Sequence, residues 1–315
     1  MHAPMVGVDS PEALVERAIA VASGREGALS GEAVDALRRE VGRFVAPSAG
    51  RLLAALDALL ADDHAAEALE VLLGWGALGL WLPEVAAMDG LHRSAPLDQP
   101  HKDLWAHTLQ VLGQCPRDPD LRWVALCHDI GKPATRTFGS DGVTFWRHEA
   151  VGAWLFLGLG ARLGMAGTRV ARIAFVIANH ARTNQYDDSW SDRALRRLRR
   201  ECGPWLDDMI AFSRADWSTR RVARVRVIQA GLDRLVARLA ALDAEAEADD
   251  AAPTVGLARA LLEVSGEASG PWVGDALRWA REARRAGDLA PAAPAEMARF
   301  VLAARAAWGA GSQNG

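Results

Sequence analysis

Apolar residues recur every three or four positions along most of the chain, with polar residues on the intervening faces. That period predicts amphipathic helices. Over 11–60, Leu14, Ile19 and Val21 start one stripe, and Val34, Leu37, Val41 and Val45 make the next, with Ser30 placed to cap it. Leu52–Leu60 is apolar on most faces, and Ala65–Leu73 is helical until Gly74, Gly76 and Gly79 break it before Trp81-Leu82-Pro83-Glu84. Asp89–Pro100 carries Gly, two Pro and two Asp and reads as a loop. Further helices are expected over Leu104–Leu112, Leu121–Ile130 (ended by Gly131 and Pro133), Glu149–Leu163, Arg169–His180 and Ser191–Glu201, with a turn at Gly139–Gly142. Val222, Val225, Ile228, Leu232, Leu235, Leu239 and Leu242 line one face of a long helix. Asp243–Pro253, acidic and Ala-rich, reads as a linker or frayed helix end, followed by a small helical unit. No period-2 strand and no internal repeat is read, so the expected fold class is all-α.

Composition agrees. Ala, Leu and Arg dominate and are strong helix formers, while there is one Tyr against 12 Trp. With 315 residues, half of them hydrophobic and 24% charged, the chain is of globular type. A net charge of −4 excludes overall nucleic-acid-like basicity but not a local basic face. Cys115, Cys127 and Cys202 are far apart and lack CxxC spacing, so neither a disulfide framework nor a Cys-ligated zinc is indicated. There is no basic, then apolar, leader pattern, and the longest apolar stretch, Val71–Leu82, is too short to span a bilayer. A reducing cytoplasm and no membrane partner are the expectation.

Polar residues then appear where a core would not want them. His107, the doublet His128-Asp129, His148, His180 and Asp216 each lie in or beside an apolar helix. A single such histidine is ordinarily a satisfied core residue, and the whole set has a bland alternative, buried polar groups knitting helices together. The doublet argues otherwise. Neighbouring helical residues point about 100° apart, so both reach one ion only at a helix edge near its end, where Gly131 and Pro133 place it. Imidazoles with a carboxylate suit a divalent ion (Mn, Mg, Ni, Co, Fe or Zn), whose open positions hold water.

The order H…HD…H…H…D resembles the HD superfamily of metal-dependent phosphohydrolases. The resemblance implies that His107, His128, Asp129 and Asp216 are the primary metal ligands. It implies that His148 and His180 bind a second metal or contact the phosphate, that Lys132 neutralises phosphate charge, and that Arg136 is a weaker phosphate contact whose alternative is a solvated loop arginine. Leu121-Arg-Trp-Val-Ala-Leu-Cys-His-Asp-Ile-Gly-Lys-Pro-Ala-Thr-Arg136 and Phe145-Trp-Arg-His-Glu-Ala-Val-Gly-Ala153 look, more narrowly, like the HD region of bacterial CCA-adding tRNA nucleotidyltransferases. Arg147 stands where that family usually has Gly, and Ala181 where Met is usual.

Weaker likeness reaches both ends. Arg17-Ala-Ile19 resembles the family's neck, Ala66–Pro83 its body, and Pro253–Glu282, with Gly270-Pro-Trp-Val-Gly274, its tail. The resemblance implies an elongated multi-helix array, with a neck-like region at 1–50, a body-like region at 51–97, a central HD helical bundle at 98–245, a tail-like region at 246–309 and a disordered end at 310–315. The Gly-Gly turn and Asp-x-Asp pair of a nucleotide-adding head are not found. Asp118-Pro-Asp120 matches by letter only, in a Pro-rich loop, and Ala13 of Asp9–Ala13 stands where templating members carry an Arg. Nucleotide addition is therefore not expected.

The Arg-rich run Arg193–Arg200 and Arg220, Arg221, Arg224, Arg226, Arg234 and Arg238 form either an RNA-backbone face or a solvated face balanced by Asp243–Asp250. Trp105, Trp123, Trp154 and Trp217 sit among apolar residues and are expected in the core. The expected function is a stand-alone metal-dependent phosphohydrolase acting on phosphoesters of RNA ends or nucleotides, first among them 2′,3′-cyclic phosphates, with tRNA or other RNA as partner. The alternatives are a non-catalytic RNA-binding module with a structural metal site, and a small-mononucleotide nucleotidase. Oligomeric state is not readable. Only two of the 36 basic side chains are lysines, and these, Lys102 and Lys132, flank the expected ligands.

Overall fold

Ser10 opens the first helix by accepting the Ala13 amide at 3.2 Å, and Pro11 takes the first helical position, where an N–H would have no partner. The computed structural model describes residues 10–41, 48–140, 142–217, 219, 221–251, 255–290 and 292–311. The chain order is α1 (Pro11–Ala22), α2 (Gly31–Val41), α3 (Ala49–Ala61), α4 (Ala65–Gly74), α5 (Ala77–Trp81), α6 (Pro83–Ala86), α7 (Leu104–Gln114), α8 (Pro119–Cys127), α9 (Lys132–Thr135), β1 (Arg136–Gly139), β2 (Gly142–Phe145) and α10 (His148–Arg162). It continues with α11 (Gly167–Asn179), α12 (Ala181–Asn184), α13 (Asp192–Cys202), α14 (Leu206–Ser213), α15 (Val222–Ala251), α16 (Val255–Ser265), α17 (Pro271–Ala286) and α18 (Pro294–Gly311). The fold is an all-α multi-helix array carrying one small hairpin. Asp9, Asp141, Arg220 and residues 312–315 lie outside the described residues.

Contacts divide the chain into two units. The first comprises Met1–Gln185 and Trp205–Gln229, the second Tyr186–Pro204 and Ala230–Gly315. The boundaries expected at 50/51 and 97/98 fall inside the first unit, and the expected 98–245 segment contributes to both. In the first unit α1 packs on α3 and α4, α3 on α8, α4 on α7, and α8 on α7, α11 and α14. Leu14, Leu56, Leu59, Leu69, Leu72, Trp123 and Phe156 are fully buried. In the second unit Leu257, Leu261, Ala276, Ala280, Met297, Ala298 and Val301 form a core shared by α16, α17 and α18.

A charged network ties the first unit together. Asp57 of α3 accepts the Trp123 indole at 2.7 Å and both terminal nitrogens of Arg169, at 2.7 and 2.8 Å. Arg169 and Arg172 of α11 share Asp120 of α8, and Arg172 also grips Asp208 of α14. Bidentate guanidinium–carboxylate pairs fix geometry as well as contributing energy. Buried Arg122 donates to the carbonyls of Leu60 and Asp62, which the end of α3 leaves unpaired.

Several expectations change. A hairpin replaces the strand-free reading: β1 and β2 pair antiparallel from Arg136↔Phe145 to Gly139↔Gly142, and the Thr137 and Thr144 hydroxyls meet at 2.8 Å. Both strands are short and β1 is mostly exposed, so no alternating apolar pattern marks them. Trp105 and Trp123 are buried and Trp217 is half-buried, but Trp154 is 70% exposed. The long face of α15 is buried only from Leu232 onward, and Val222 is exposed. Of the two readings of Asp243–Pro253, linker or helix end, the structure has the helix end, with α15 running to Ala251. Gly79 lies inside α5 instead of breaking a helix.

Candidate metal centre

Three helices deliver functional side chains from their C-terminal ends. His128 and His180 directly follow the last residues of α8 and α11, and Asp216 comes three residues after α14. The final carbonyls of a helix lack intrahelical partners. Here imidazoles take them: His128 Nδ1 is 2.9 Å from Ala125 O, and His180 Nδ1 is 2.8 Å from Ile177 O. His148, the first residue of α10, repeats the pattern on Phe145 O at 2.9 Å. A carbonyl only accepts, so each ring carries a proton on Nδ1 and turns Nε2 toward the cluster. Helix C-termini also carry partial negative charge, which favours a cation where they converge.

His107, from the first turn of α7, completes the cluster. His128 Nε2 lies 3.3 Å from His107 Nε2 and 3.3 Å from Asp129 Oδ2. His107 Nε2 lies 3.4 Å from Asp216 Oδ1 and 4.0 Å from Asp129 Oδ2. His148 Nε2 faces the other oxygen, Asp129 Oδ1, at 3.5 Å. The donor atoms of His107, His128 and Asp129 lie within 4.8 Å of one another, as do those of Asp129, His148 and His180. Ligand atoms each bound about 2.1 Å from one ion sit roughly 3 to 3.5 Å apart. Both groups can hold a metal ion, and Asp129 belongs to both.

The unsatisfied atoms fit that chemistry. Asp129 is 1% exposed, yet its Oδ1 has no hydrogen-bond partner, nor has His107 Nδ1. A buried carboxylate oxygen without a donor is costly, and a cation satisfies it.

Electrostatics follow from burial and proximity. Burial alone would raise the Asp129 carboxyl, but His128, Lys132 and His180 hold it well below the usual range. Burial likewise opposes ionisation of Asp216, and the His107 contact with His128 and His180 overcomes it, leaving it at about 2. His128 is lowered by burial and raised more strongly by Asp129 and Asp216, for a net rise. His180 is lowered by burial and by the neighbouring His128, so it stays neutral.

The remaining expected residues divide. Lys132 joins the cluster, with Nζ 2.6 Å from Asp129 Oδ2. Arg136 does not: its guanidinium bonds Leu91 O at 2.7 Å and Ser94 Oγ at 3.0 Å, and lies over the Phe138 ring. The three cysteines are buried free thiols, and burial pushes Cys115 up to about 12. The cavity of about 640 Å³ between α13, α15 and α17 lies in the second unit and contains no cluster residue.

Positioning residues escaped the sequence reading. Gln114 Nε2 donates to Ala215 O at 2.6 Å and Gln110 Nε2 to Trp217 O at 3.1 Å, gripping the backbone on both sides of Asp216. Asn184 Nδ2 donates to Asp216 Oδ2 at 3.2 Å, which turns Oδ1 toward the histidines. Two glutamines at the third and seventh positions after His107, on an otherwise apolar helix, were the available signal.

No family model matches the chain. Its sequence is 34% identical over 274 residues to the A-adding tRNA nucleotidyltransferase of Deinococcus radiodurans, covering 83% of this chain and 60% of that protein. It is 34% identical over 194 residues to the CC-adding tRNA nucleotidyltransferase of Thermus thermophilus, covering 56% of this chain and 41% of that one. Similarity to the multifunctional CCA protein of Pseudomonas fluorescens, 35% over 99 residues, covers 30% of this chain and 24% of that one. The chain is related to these tRNA nucleotidyltransferases and spans 60% or less of the length of each. No helix among the described residues is long and apolar enough to cross a membrane.

Proposed function

We propose that the cluster is the active site of a metal-dependent phosphohydrolase of the HD type, acting on phosphoesters of RNA ends or nucleotides, with 2′,3′-cyclic phosphates as the first substrate class. One observation carries this reading: two donor groups share the buried carboxylate of Asp129, with the Nε2 atoms of His107, His128 and His148 facing carboxylate oxygens. His107, His128, Asp129 and Asp216 would hold the primary ion, and His148 and His180 a second ion or the phosphate. A divalent ion bound there supplies acidification of a water and polarisation of a phosphoryl oxygen.

The chain's own residues do the rest. Three carbonyl bonds hold the rings of His128, His148 and His180 with Nε2 turned toward the cluster. Lys132 spends one N–H on Asp129 and keeps two for the phosphate, where they offset charge developing on its oxygens. Helix ends wall the site on its buried side, so these interactions act in a low-dielectric setting. Nucleotide addition is not part of this function. Asp118 caps α8 by accepting the Asp120 and Leu121 amides, and Asp120 is engaged by two arginines, which supports leaving them out of metal chemistry.

An RNA-binding role without catalysis is the second reading. It is favoured by relatives named for tRNA and by Arg224 and Arg226, exposed at the start of α15. The arginines of α13 favour it less, because Arg193, Arg196, Arg197 and Arg199 are each paired with a carboxylate. The test is turnover of 2′,3′-cyclic AMP, mononucleotides and cyclic-phosphate-ended tRNA by protein loaded with Mn²⁺, Ni²⁺, Co²⁺, Mg²⁺, Fe²⁺ or Zn²⁺. Turnover is expected in the wild type and not in Asp129→Ala. No turnover with any ion sinks the enzyme reading, and activity in Asp129→Ala sinks the site.

A further inference from the structure

Two indoles stand out into solvent, one just before α10 and one midway along it. Trp146 is 76% exposed and Trp154 70%. Trp146, Ala150 and Trp154 are spaced four residues apart, and with Arg147 and Val151 they line a shallow cavity of about 340 Å³. Large aromatic side chains left this exposed side by side mark a binding surface more often than scattered single ones do.

Arg147 narrows the choice of ligand. It is the one non-glycine residue with positive φ among the described residues, at 61°, a conformation that only glycine adopts without strain. Its guanidinium lies 5.3 Å from the centroid of the Trp146 ring. Among the described residues it has no carboxylate partner, unlike the paired arginines of α13. It immediately precedes His148, whose Nε2 faces Asp129. Aromatic faces beside an unneutralised guanidinium are what single-stranded nucleic acid uses: bases stack on the rings and phosphates pair with the cation.

We infer that Trp146, Arg147 and Trp154 form a stacking platform for the nucleosides next to the scissile phosphoester of a single-stranded RNA end. This rests on the reading of the neighbouring cluster as a phosphoester site. It makes the preferred substrate class an oligoribonucleotide end, because a mononucleotide offers one base to two rings.

The test is binding of a fluorescein-labelled, 2′-O-methylated pentaribonucleotide, which carries no 2′,3′-cyclic phosphate, read by anisotropy at two salt concentrations. Trp146→Ala and Trp154→Ala are each expected to weaken binding roughly tenfold or more. Trp154→Phe should restore most of it, since a ring remains. Arg147→Gly should weaken binding and reduce its salt dependence by about one charge, while the melting temperature holds or rises because glycine relieves the strained φ. Unchanged affinity in the three removal variants, with wild-type melting temperatures, overturns the inference. So does a wild-type dimer in sedimentation that Trp154→Ala converts to monomer, because the indoles would then be a protein contact. Failure of the phosphohydrolase reading shows separately, as absent turnover in wild type with this binding pattern intact.

Discussion

The backbone of Gly131 packs directly against the carbonyl of His148. A Cβ at 131 would overlap that oxygen and come within 2.6 Å of the Gly152 nitrogen. The backbone of Gly131 is ordinary right-handed helix, φ −78°, so the glycine is needed for space and not for conformational freedom. The contact sets how far α10 stands from the His128-Asp129 end of α8, and so where His148 meets Asp129.

Gly131→Ala is therefore expected to destabilise the protein by about 2 kcal/mol or more, as overpacking against rigid backbone does. It should also weaken metal binding, because His148 must move with its carbonyl. Thermal melts and calorimetric metal titration check both. A variant with wild-type melting temperature would show that α10 yields freely and that the contact does not position His148.

Gln114→Leu tests the grip on Asp216. The Ala215 and Trp217 carbonyls lose the amide that now reaches them at 2.6 and 3.3 Å. Metal affinity should fall by roughly 10- to 100-fold, the usual cost of removing an outer partner of a ligand, with about 1 kcal/mol of stability lost. Equal affinity in the variant and the wild type would remove Gln114 from the site.

Metal removal should lower the melting temperature of the wild type. An ion at one hundred times its dissociation constant stabilises by about 2.7 kcal/mol. The shift between chelator and added Mn²⁺ or Zn²⁺ is expected to vanish in Asp129→Ala. A shift that persists there places the ion elsewhere.

Acid should destabilise the metal-free protein through Asp216. Its folded value, about 2, lies below its ordinary 3.8, so its stabilising contribution is complete above about pH 4 and is lost as pH falls through 2. The full loss is about 2 kcal/mol. Melting in chelator from pH 5 to pH 2 should fall more steeply for the wild type than for Asp216→Asn. Parallel curves would mean that Asp216 is not held ionised by the histidines.

Features set by one physical rule acting alone are legible along the chain. Helix existence followed from apolar periodicity, and Ser30 caps α2 as its position predicts, accepting the Ala33 amide at 3.3 Å. The hairpin was missed because β1 and β2 gain their pairing from the turn at Gly139–Gly142, not from a buried face. Trp154 was misplaced because periodicity on α10 marks helicity, while which face is covered depends on α11, which packs against it.

Helical character, the Ser30 cap and the candidate ligands were legible along the chain, since each depends on residue type and on neighbours a few positions away. Only the tertiary structure decided that His107, His128-Asp129, His148 and Asp216, up to 109 residues apart in sequence, meet within hydrogen-bonding distance of one another, that Lys132 lies on Asp129, and that Arg136 does not reach them. Those outcomes depend on packing distances between helices, and these are set by contacts such as Gly131 on His148 and Arg169 between Asp57 and Asp120, whose partners no local pattern identifies.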